Sequence, residues 1–370
     1  MKYYIIAGEV SGDKHGSNLM HSLKNIDSEA DIRFWGGENM SDAGGTMVKH
    51  IEELSFMGFY EVLINLRTIL KLMSFCKKDI LSYNPDVIIL IDYPGFNLRI
   101  AEWAKNNGFK VVYYIVPQVW AWHKSRVHKL RKYTDLLLAI LPFEEKFYAD
   151  HGCKVTFVGH PLLDEIKNYE SKQISEPSDL PDNIKIALLP GSRKQEIKQM
   201  LPVFLSTIKK YNVQAVIAGS SNIPESMYLD IIRESGITEN NVQLVFNKMY
   251  SILRKSEFAF VTSGTATLET ALWNVPQIVA YKGNPLSYYI AKKIITLPFI
   301  SLVNIILNRK LVEELIQNNL TSETLSQSYV DMQLQREKIL EGYATLKKLL
   351  GTQGASDRAA AEIKKLLIPG

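Results

Sequence analysis

Two doubly wound parallel α/β sheets are predicted by three observations along the 370-residue chain. Short apolar runs alternate with helix-patterned stretches; the runs are continuously rather than alternately apolar; and one polar segment divides them into two sets of similar length. Continuous apolarity marks a parallel strand covered on both faces. Repeated strand, crossover and strand units wind such strands into open sheets. The dividing segment is KNYESKQISEPSDLPDN, 167 to 183, polar and interrupted by Pro177 and Pro181.

In order, the first set is KYYIIAG, DIRFWGG, PDVIILID, KVVYYIV, DLLLAIL and VTFVGHP; the second is IKIALLPGS, VQAVIAGS, VQLVFN, FAFVTSG and QIVAYKG. These runs predict two facing Rossmann-like domains, 1–166 and 184–345. A helical segment, 346–370, follows. The stretch from Ser326 to the end reads as two helices broken near Gly351 and Gly354, the last capped by Ser356 and free to pack away from its own half. Ligands of such sheets sit beyond the carboxyl ends of the strands, so the residues just after each strand are the ones to inspect.

The bulk composition excludes several classes. With 46% hydrophobic and 22% charged residues the chain is globular, and a net charge of +4 is too small to argue for nucleic acid. Cys76 and Cys153 form no disulfide framework and lack zinc spacing, which predicts packed thiols in a reducing compartment, the cytoplasm. Glu9 and Asp13 interrupt the N-terminal apolar run before a signal-peptide core forms. The longest apolar stretch, IITLPFISLVNIIL at 294 to 307, is too short to span a bilayer.

After the first strand, GEVSGDKHG places Gly8, Gly12 and Gly16 every fourth residue, not in the G-x-G-x-x-G of a dinucleotide fingerprint. In the second half, FAFVTSGTATLETALWNVP puts Ser263, Gly264 and Thr265 at a strand end opening a helix. Such a helix start is an anion seat suited to a diphosphate. Glu269 lies one turn on, placed for ribose hydroxyls or simply for solvent. IALLPGSRKQEI offers Gly191 and Ser192 in a turn and then Arg193, whose fork matches phosphate oxygens, or which makes a surface ion pair. Neither loop is a Walker sequence.

PDVIILIDYPGFNLRIA ends a buried run with Asp92, a carboxylate where a catalytic base would sit or where a helix would be capped. Asn97 follows closely. No Asp-x-Asp occurs and the histidines, including His15, His123 and His160, are scattered, so neither a metal nor a cofactor is expected. LSFMGFYEVLINLRTILKLMSFCKK, 54 to 78, is apolar nearly all round with Arg67, Lys71, Lys77 and Lys78 among the apolar residues. It suits a helix lying in a membrane surface, or a core or oligomer contact.

The series AGEVSGD, MGFYEVL, PQVWAW, LPFE, FVGHPLLD, LLPGSR, SGTATLE and SLVNIILNRKLVEELIQ, in this order over nearly the whole chain, resembles the lipid-A-disaccharide synthase family. The resemblance implies an inverting, metal-independent glycosyltransferase of the GT-B type whose C-terminal half holds the nucleotide. It implies UDP-2,3-diacylglucosamine as donor, 2,3-diacylglucosamine 1-phosphate (lipid X) as acceptor, and a β-1,6 disaccharide 1-phosphate and UDP as products. Ser192, Arg193, Ser263, Gly264, Thr265, Glu269, Asn304 and Gln317 fall at nucleotide-side positions. Asp92 matches an acid of the family's IDAPDFN, while Gly95 stands where many members carry a second aspartate. The opening loop then becomes an acceptor site, with Ser11, Asp13, His15 and Asn97 as its candidates and Lys14, Arg126 and Arg131 available for the acceptor phosphate.

Acylated substrates lie in a bilayer, which favours the interfacial alternative for 54 to 78, with Leu66, Arg67, Leu70 and Lys71 as contacts on the inner face of the inner membrane. A homodimer is also implied. The rival expectations are another UDP-sugar enzyme of this architecture, such as the peptidoglycan GlcNAc transferase or a UDP-GlcNAc 2-epimerase, and a non-catalytic nucleotide-sugar or lipid-binding module. Asp92 discriminates, since a binding module has no use for an acid there.

Overall fold

The computed structural model describes residues 1–54, 66–122, 126–171, 180–238, 241–284, 288 and 297–368. They divide into two compact units, Met1–Asn168 with Leu350–Gly370, and Tyr169–Leu349.

The first unit is built on seven strands: β1 (Lys2–Ala7), β2 (Asp31–Gly36), β3 (Thr46–His50), β4 (Val87–Ile91), β5 (Val111–Tyr114), β6 (Leu136–Ala139) and β7 (Thr156–Phe157). They lie in the order β3-β2-β1-β4-β5-β6-β7, and every pairing is parallel. Continuous apolarity has its explanation in the two faces. Tyr3, Ile5 and Ala7 join a core on one side, Tyr4 and Ile6 a core on the other. Over the first face pack Leu19 and Leu23 of the helix Val10–Ile26 and Ala359, Ala360 and Ile363 of the C-terminal helix Ala355–Leu367. Over the second lie Met73, Cys76 and Ile80 of the helix Leu66–Tyr83 and Ile100, Ala101 and Ala104 of the helix Pro94–Asn106.

The second unit repeats the plan with β8 (Ile184–Leu189), β9 (Ala215–Gly219), β10 (Val242–Phe246), β11 (Ser256–Thr262), β12 (Gln277–Tyr281) and β13 (Glu313–Ile316). Their order is β10-β9-β8-β11-β12-β13, again all parallel.

Three features depart from the sequence expectation. β3 and β13 were not legible, because each is an edge strand with polar positions (TMVKH, EELI) and so lacks the apolar run of a covered strand. The C-terminal region holds three helices, Ser322–Leu334, Arg336–Leu349 and Ala355–Leu367, not two. The last begins after Gly354, not at Ser356, and its capping acid comes from far along the chain: the Asp164 carboxylate accepts from the backbone N–H of Gly354 and of Ser356. Arg358 adds hydrogen bonds to the carbonyls of Val158, Gln353 and Thr352, tying this helix to the first unit.

Candidate active site

Each sheet has one place where the winding reverses: between β1 and β4 in the first unit and between β8 and β11 in the second. Connections leave such a pair in opposite directions and open a crevice beyond its carboxyl ends. Ala7 pairs with Ile91, so Gly8 and Glu9 emerge beside Asp92. Leu189 pairs with Val261, so the Gly191–Arg193 loop emerges beside Ser263–Thr265. The loops singled out by sequence therefore stand at the two switch points.

At the first switch point the chain turns sharply. Asp92 and Tyr93 have φ of 42° and 49°, both left-handed and neither glycine, a strain of about 1–3 kcal/mol per residue. Four contacts hold it. Tyr113 Oη donates to Asp92 O at 2.6 Å and Asn97 Nδ2 donates to the same carbonyl at 2.8 Å. Tyr93 Oη donates to Leu54 O at 3.0 Å. The Tyr93 ring lies so close to Gly8 that a Cβ there would meet it at 2.4 Å, which is why glycine follows β1. The following helix has Tyr93, not Asp92, as its N-cap, so the capping alternative for Asp92 falls away. Its carboxyl is pushed up to about 7, first by burial and then by the neighbouring Glu9 carboxylate, against a hydrogen bond from the Tyr93 amide. The carboxylate beside Asp92 is thus Glu9, and position 95 holds glycine.

The other residues of the opening loop divide. Ser11 is exposed on the first turn of the helix Val10–Ile26, which has no side-chain cap. Asp13 departs from the expectation of an acceptor contact. Its Oδ1 accepts from Gly37 N (2.6 Å) and Met40 N (3.1 Å), and its Oδ2 from Asn39 N (3.1 Å) and Asn39 Nδ2 (2.7 Å). Four bonds use a carboxylate's capacity, so Asp13 anchors the short helix Glu38–Asp42. His15 also turns inward. Its Nδ1 faces Glu165 Oε1 at 3.4 Å, and burial, with Lys14 beside it, lowers its pKa to about 4. His160, buried alongside, is lowered to about 3 by burial and by His15. Lys14 pairs with Glu165. Asn97 is fully buried and braces Asp92 and Ile91 rather than facing a ligand. His123 lies outside the described residues.

Glu144, from LPFE, received no role from sequence. It is 1% exposed, and accepts from Trp120 Nε1 at 3.0 Å, Leu141 N at 3.0 Å and Ile140 N at 3.3 Å. Burial pushes it up to about 7 while those bonds oppose the shift, and Asp92 adds to it. It binds the PQVWAW segment after β5 to the loop after β6. The signal was an acid following an apolar run, as at Asp92, but a short helix start explained it equally well.

At the second switch point, among the described residues, the helix Thr265–Leu272 starts at Gly264 without a side-chain cap, and a Cβ at Gly264 would meet nothing within 4 Å. Ser263 Oγ donates to Ile300 O at 3.2 Å. Glu269 accepts from Tyr250 Oη at 2.7 Å. In the neighbouring loop Glu196 Oε2 accepts from Ser192 N (3.1 Å) and Arg193 N (3.3 Å), and the exposed Arg193 guanidinium stands 3.5 Å from Glu196 Oε1. A carboxylate of the chain itself thus occupies these two backbone donors.

Asn304 and Gln317 are corrected by their surroundings. Asn304 is fully buried; Oδ1 accepts from Leu311 N (2.8 Å) and Val312 N (3.0 Å), and Nδ2 donates to Val312 O (2.9 Å) and Glu314 Oε1 (2.8 Å). With both donors and both acceptor sites used it has nothing left for a nucleotide. Gln317 pairs its amide with Gly283 N and Gly283 O, both at 3.2 Å. Both residues shape loops beside the site.

Of the expected membrane contacts, residues 55–65 lie outside the described part, and Leu66 opens the helix Leu66–Tyr83. Arg67, Leu70 and Lys71 are exposed, and Phe75 and Leu81 join them on the surface. Among the described residues no helix is long and apolar enough to cross a membrane, and no cluster of His, Cys, Asp and Glu is arranged to hold a metal ion.

Two parallel Rossmann-like units with ligand-suited loops at both switch points define the GT-B class shared by glycosyltransferases and sugar-nucleotide epimerases. The fold is close to that of a UDP-GlcNAc 2-epimerase from Neisseria meningitidis bound to UDP-GlcNAc (TM-score 0.68, 13% identity, 99% of this chain and 100% of that one). It is as close to the glycosyltransferase of kitacinnamycin (TM-score 0.68, 13% identity, 99% and 100%). The model of the lipid-A-disaccharide synthetase family matches residues 3–364. Lipid-A-disaccharide synthases from Syntrophus aciditrophicus and Geobacter metallireducens are 39% and 35% identical to this chain, over 96% and 98% of it and 95% and 96% of theirs. The chain belongs to the lipid-A-disaccharide synthase family.

Proposed function

We propose that the chain transfers 2,3-diacylglucosamine from UDP-2,3-diacylglucosamine to the 6-hydroxyl of 2,3-diacylglucosamine 1-phosphate, forming the β-1,6 disaccharide 1-phosphate and UDP. Family membership supports the reaction. The observation that carries the residue assignment is the pairing of chemistries at the two switch points: a carboxylate raised to about 7 after β4, and open or lightly held N–H groups after β8 and β11.

Asp92 accepts the proton of the acceptor hydroxyl as that oxygen bonds to the anomeric carbon and the bond to the UDP oxygen breaks on the opposite face. Configuration inverts and no covalent sugar intermediate forms. A base near pH 7 suits this work, which is typically worth ~10²–10⁴-fold. As UDP leaves, charge grows on the diphosphate. Arg193 and the N–H groups of Gly264 and Thr265 stabilise that charge more in the transition state than in the ground state, once phosphate oxygens displace Glu196 from the Ser192 and Arg193 amides. Glu269 and Tyr250 serve the ribose. Arg67, Leu70, Lys71 and Phe75 support peripheral seating on an anionic bilayer, where acylated substrates reside.

The test is incubation with both substrates, following UDP and disaccharide together. Equal yields are expected; UDP without disaccharide would mean hydrolysis, and sugar-nucleotide isomerisation without disaccharide would mean an epimerase. Liposome co-sedimentation of Leu70→Glu checks the membrane face, with loss of binding expected. Light scattering checks the homodimer.

A further inference from the structure

We propose that Tyr113 is a positioning residue for the proton-accepting carboxylate: its hydroxyl, with the Asn97 amide, locks the left-handed turn that aims Asp92. The inference rests on Asp92 as the base. Tyr113 pairs with Leu90 across β4 and β5 and is 0% exposed. Its side chain lies wholly in the core, yet its hydroxyl runs past the end of β4 to the Asp92 carbonyl at 2.6 Å. Phenylalanine would fill the same space, so the hydroxyl is what the packing does not require.

The carbonyl it holds belongs to the first of two consecutive non-glycine residues with positive φ. Such a conformation persists only where its surroundings over-determine it. Asn97 Nδ2 contributes to Asp92 O at 2.8 Å and to Ile91 O at 3.2 Å, bracketing the turn. The exit of β5 is unusual too, since β-branched Ile115 has φ of 61°. Fixing the Asp92 carbonyl fixes the peptide plane, and with it the direction of the partly buried Asp92 side chain. Without the Tyr113 hydroxyl the turn relaxes, the carboxylate becomes more exposed, and both its aim and its raised basicity decline.

The charged and titratable groups around this point come from several elements. Glu9 stands after β1, Tyr93 beside Asp92 itself and Glu144 after β6; Arg126 and Tyr148 act electrostatically on the Tyr113 hydroxyl. None but Tyr113 and Asn97 bonds the Asp92 carbonyl among the described residues.

The experiment compares Tyr113→Phe, Asn97→Ser and Asp92→Asn by kcat, by KM for each substrate, and by the pH profile of kcat, with melting temperature recorded. For Tyr113→Phe, kcat is expected to fall on the order of tenfold, the rate equivalent of one hydrogen bond, with donor KM unchanged. The acidic limb is expected to move down by ~1 pH unit. A merely structural role lowers the melting temperature and the active fraction and leaves the limb in place; that result overturns the proposal. Should Tyr113→Phe not fold, the same reading of Asn97→Ser decides, since it removes the companion donor. The two assignments fail separately: an active Asp92→Asn removes the base, whereas an inactive Asp92→Asn beside wild-type kcat and limb in Tyr113→Phe removes only the positioning role.

Discussion

The strand ends of the two units share one topology and use it oppositely. After β4, the chain is strained, partly buried and crowded with acids, so a carboxyl normally ionised well below neutrality is held near 7. After β8 and β11, the chain is exposed, small-residued and rich in backbone N–H groups, one loop lightly occupied by its own Glu196 and the other uncapped. A proton acceptor of neutral basicity is made by withdrawing water from a charge. An anion seat is made by leaving donors unspent. One architecture provides both because its switch points project loops whose sequence the sheet does not constrain.

The comparison breaks if the first site is not the proton acceptor. Asp92→Asn keeps the shape and tolerates the left-handed backbone, and should lower kcat by ~10²–10⁴-fold while isothermal titration gives unchanged UDP affinity. An equal loss of UDP affinity would merge the two roles. Arg193→Ala should raise the UDP dissociation constant by ~10–100-fold, the worth of a charge-assisted bond, with little change in the pH profile.

Asn304→Ala separates shaping from binding. Losing four satisfied bonds inside the loop should cost roughly 2–4 kcal/mol in urea unfolding, with UDP affinity of the folded fraction nearly intact. A large affinity loss without destabilisation would return Asn304 to the nucleotide. Glu196→Gln tests the occupied loop: a few-fold tighter UDP binding is expected at a stability cost of ~0.5–1 kcal/mol from the weakened capping box.

A last effect concerns stability. Asp92 has a folded pKa of about 7, above its unfolded value, so its ionisation opposes folding above pH 7 and has no effect below about 4. Asp92→Asn should therefore melt higher than the parent at pH 8, with the gain shrinking as pH falls from 7 towards 4. A gain independent of pH would deny the carboxyl its raised basicity.

Much of the architecture was legible because covered parallel strands write themselves as unbroken apolar runs. Where a strand lies at an edge, as with Glu313–Ile316, that pressure is absent and so is the signal. Asp92, Arg193 and Ser263–Thr265 stood out as polar groups at the ends of apolar runs, where packing asks for none. The strand-end rule overreached at Asp13, and the family resemblance at Asn304. Both spend their hydrogen-bonding capacity on groups the fold brings back to them, while Gln317, also named by resemblance, pairs with the Gly283 backbone. Glu9 was passed over for the opposite reason. Exposed after its strand, it gained meaning only when β1 paired with β4.

By itself the sequence determined the two α/β sets, the strand-end loops and the chemistry available there, because apolar runs and turn residues are local properties. Tertiary structure decided which polar groups are spent and which are left to act. It placed Glu9 beside Asp92, tied Tyr113 to its carbonyl, put Asp164 at the head of a helix nearly two hundred residues away and filled the capacity of Asn304. The reason is physical: a hydrogen bond or a desolvated charge depends on what the fold brings within a few ångströms, and spacing along the chain carries no record of that.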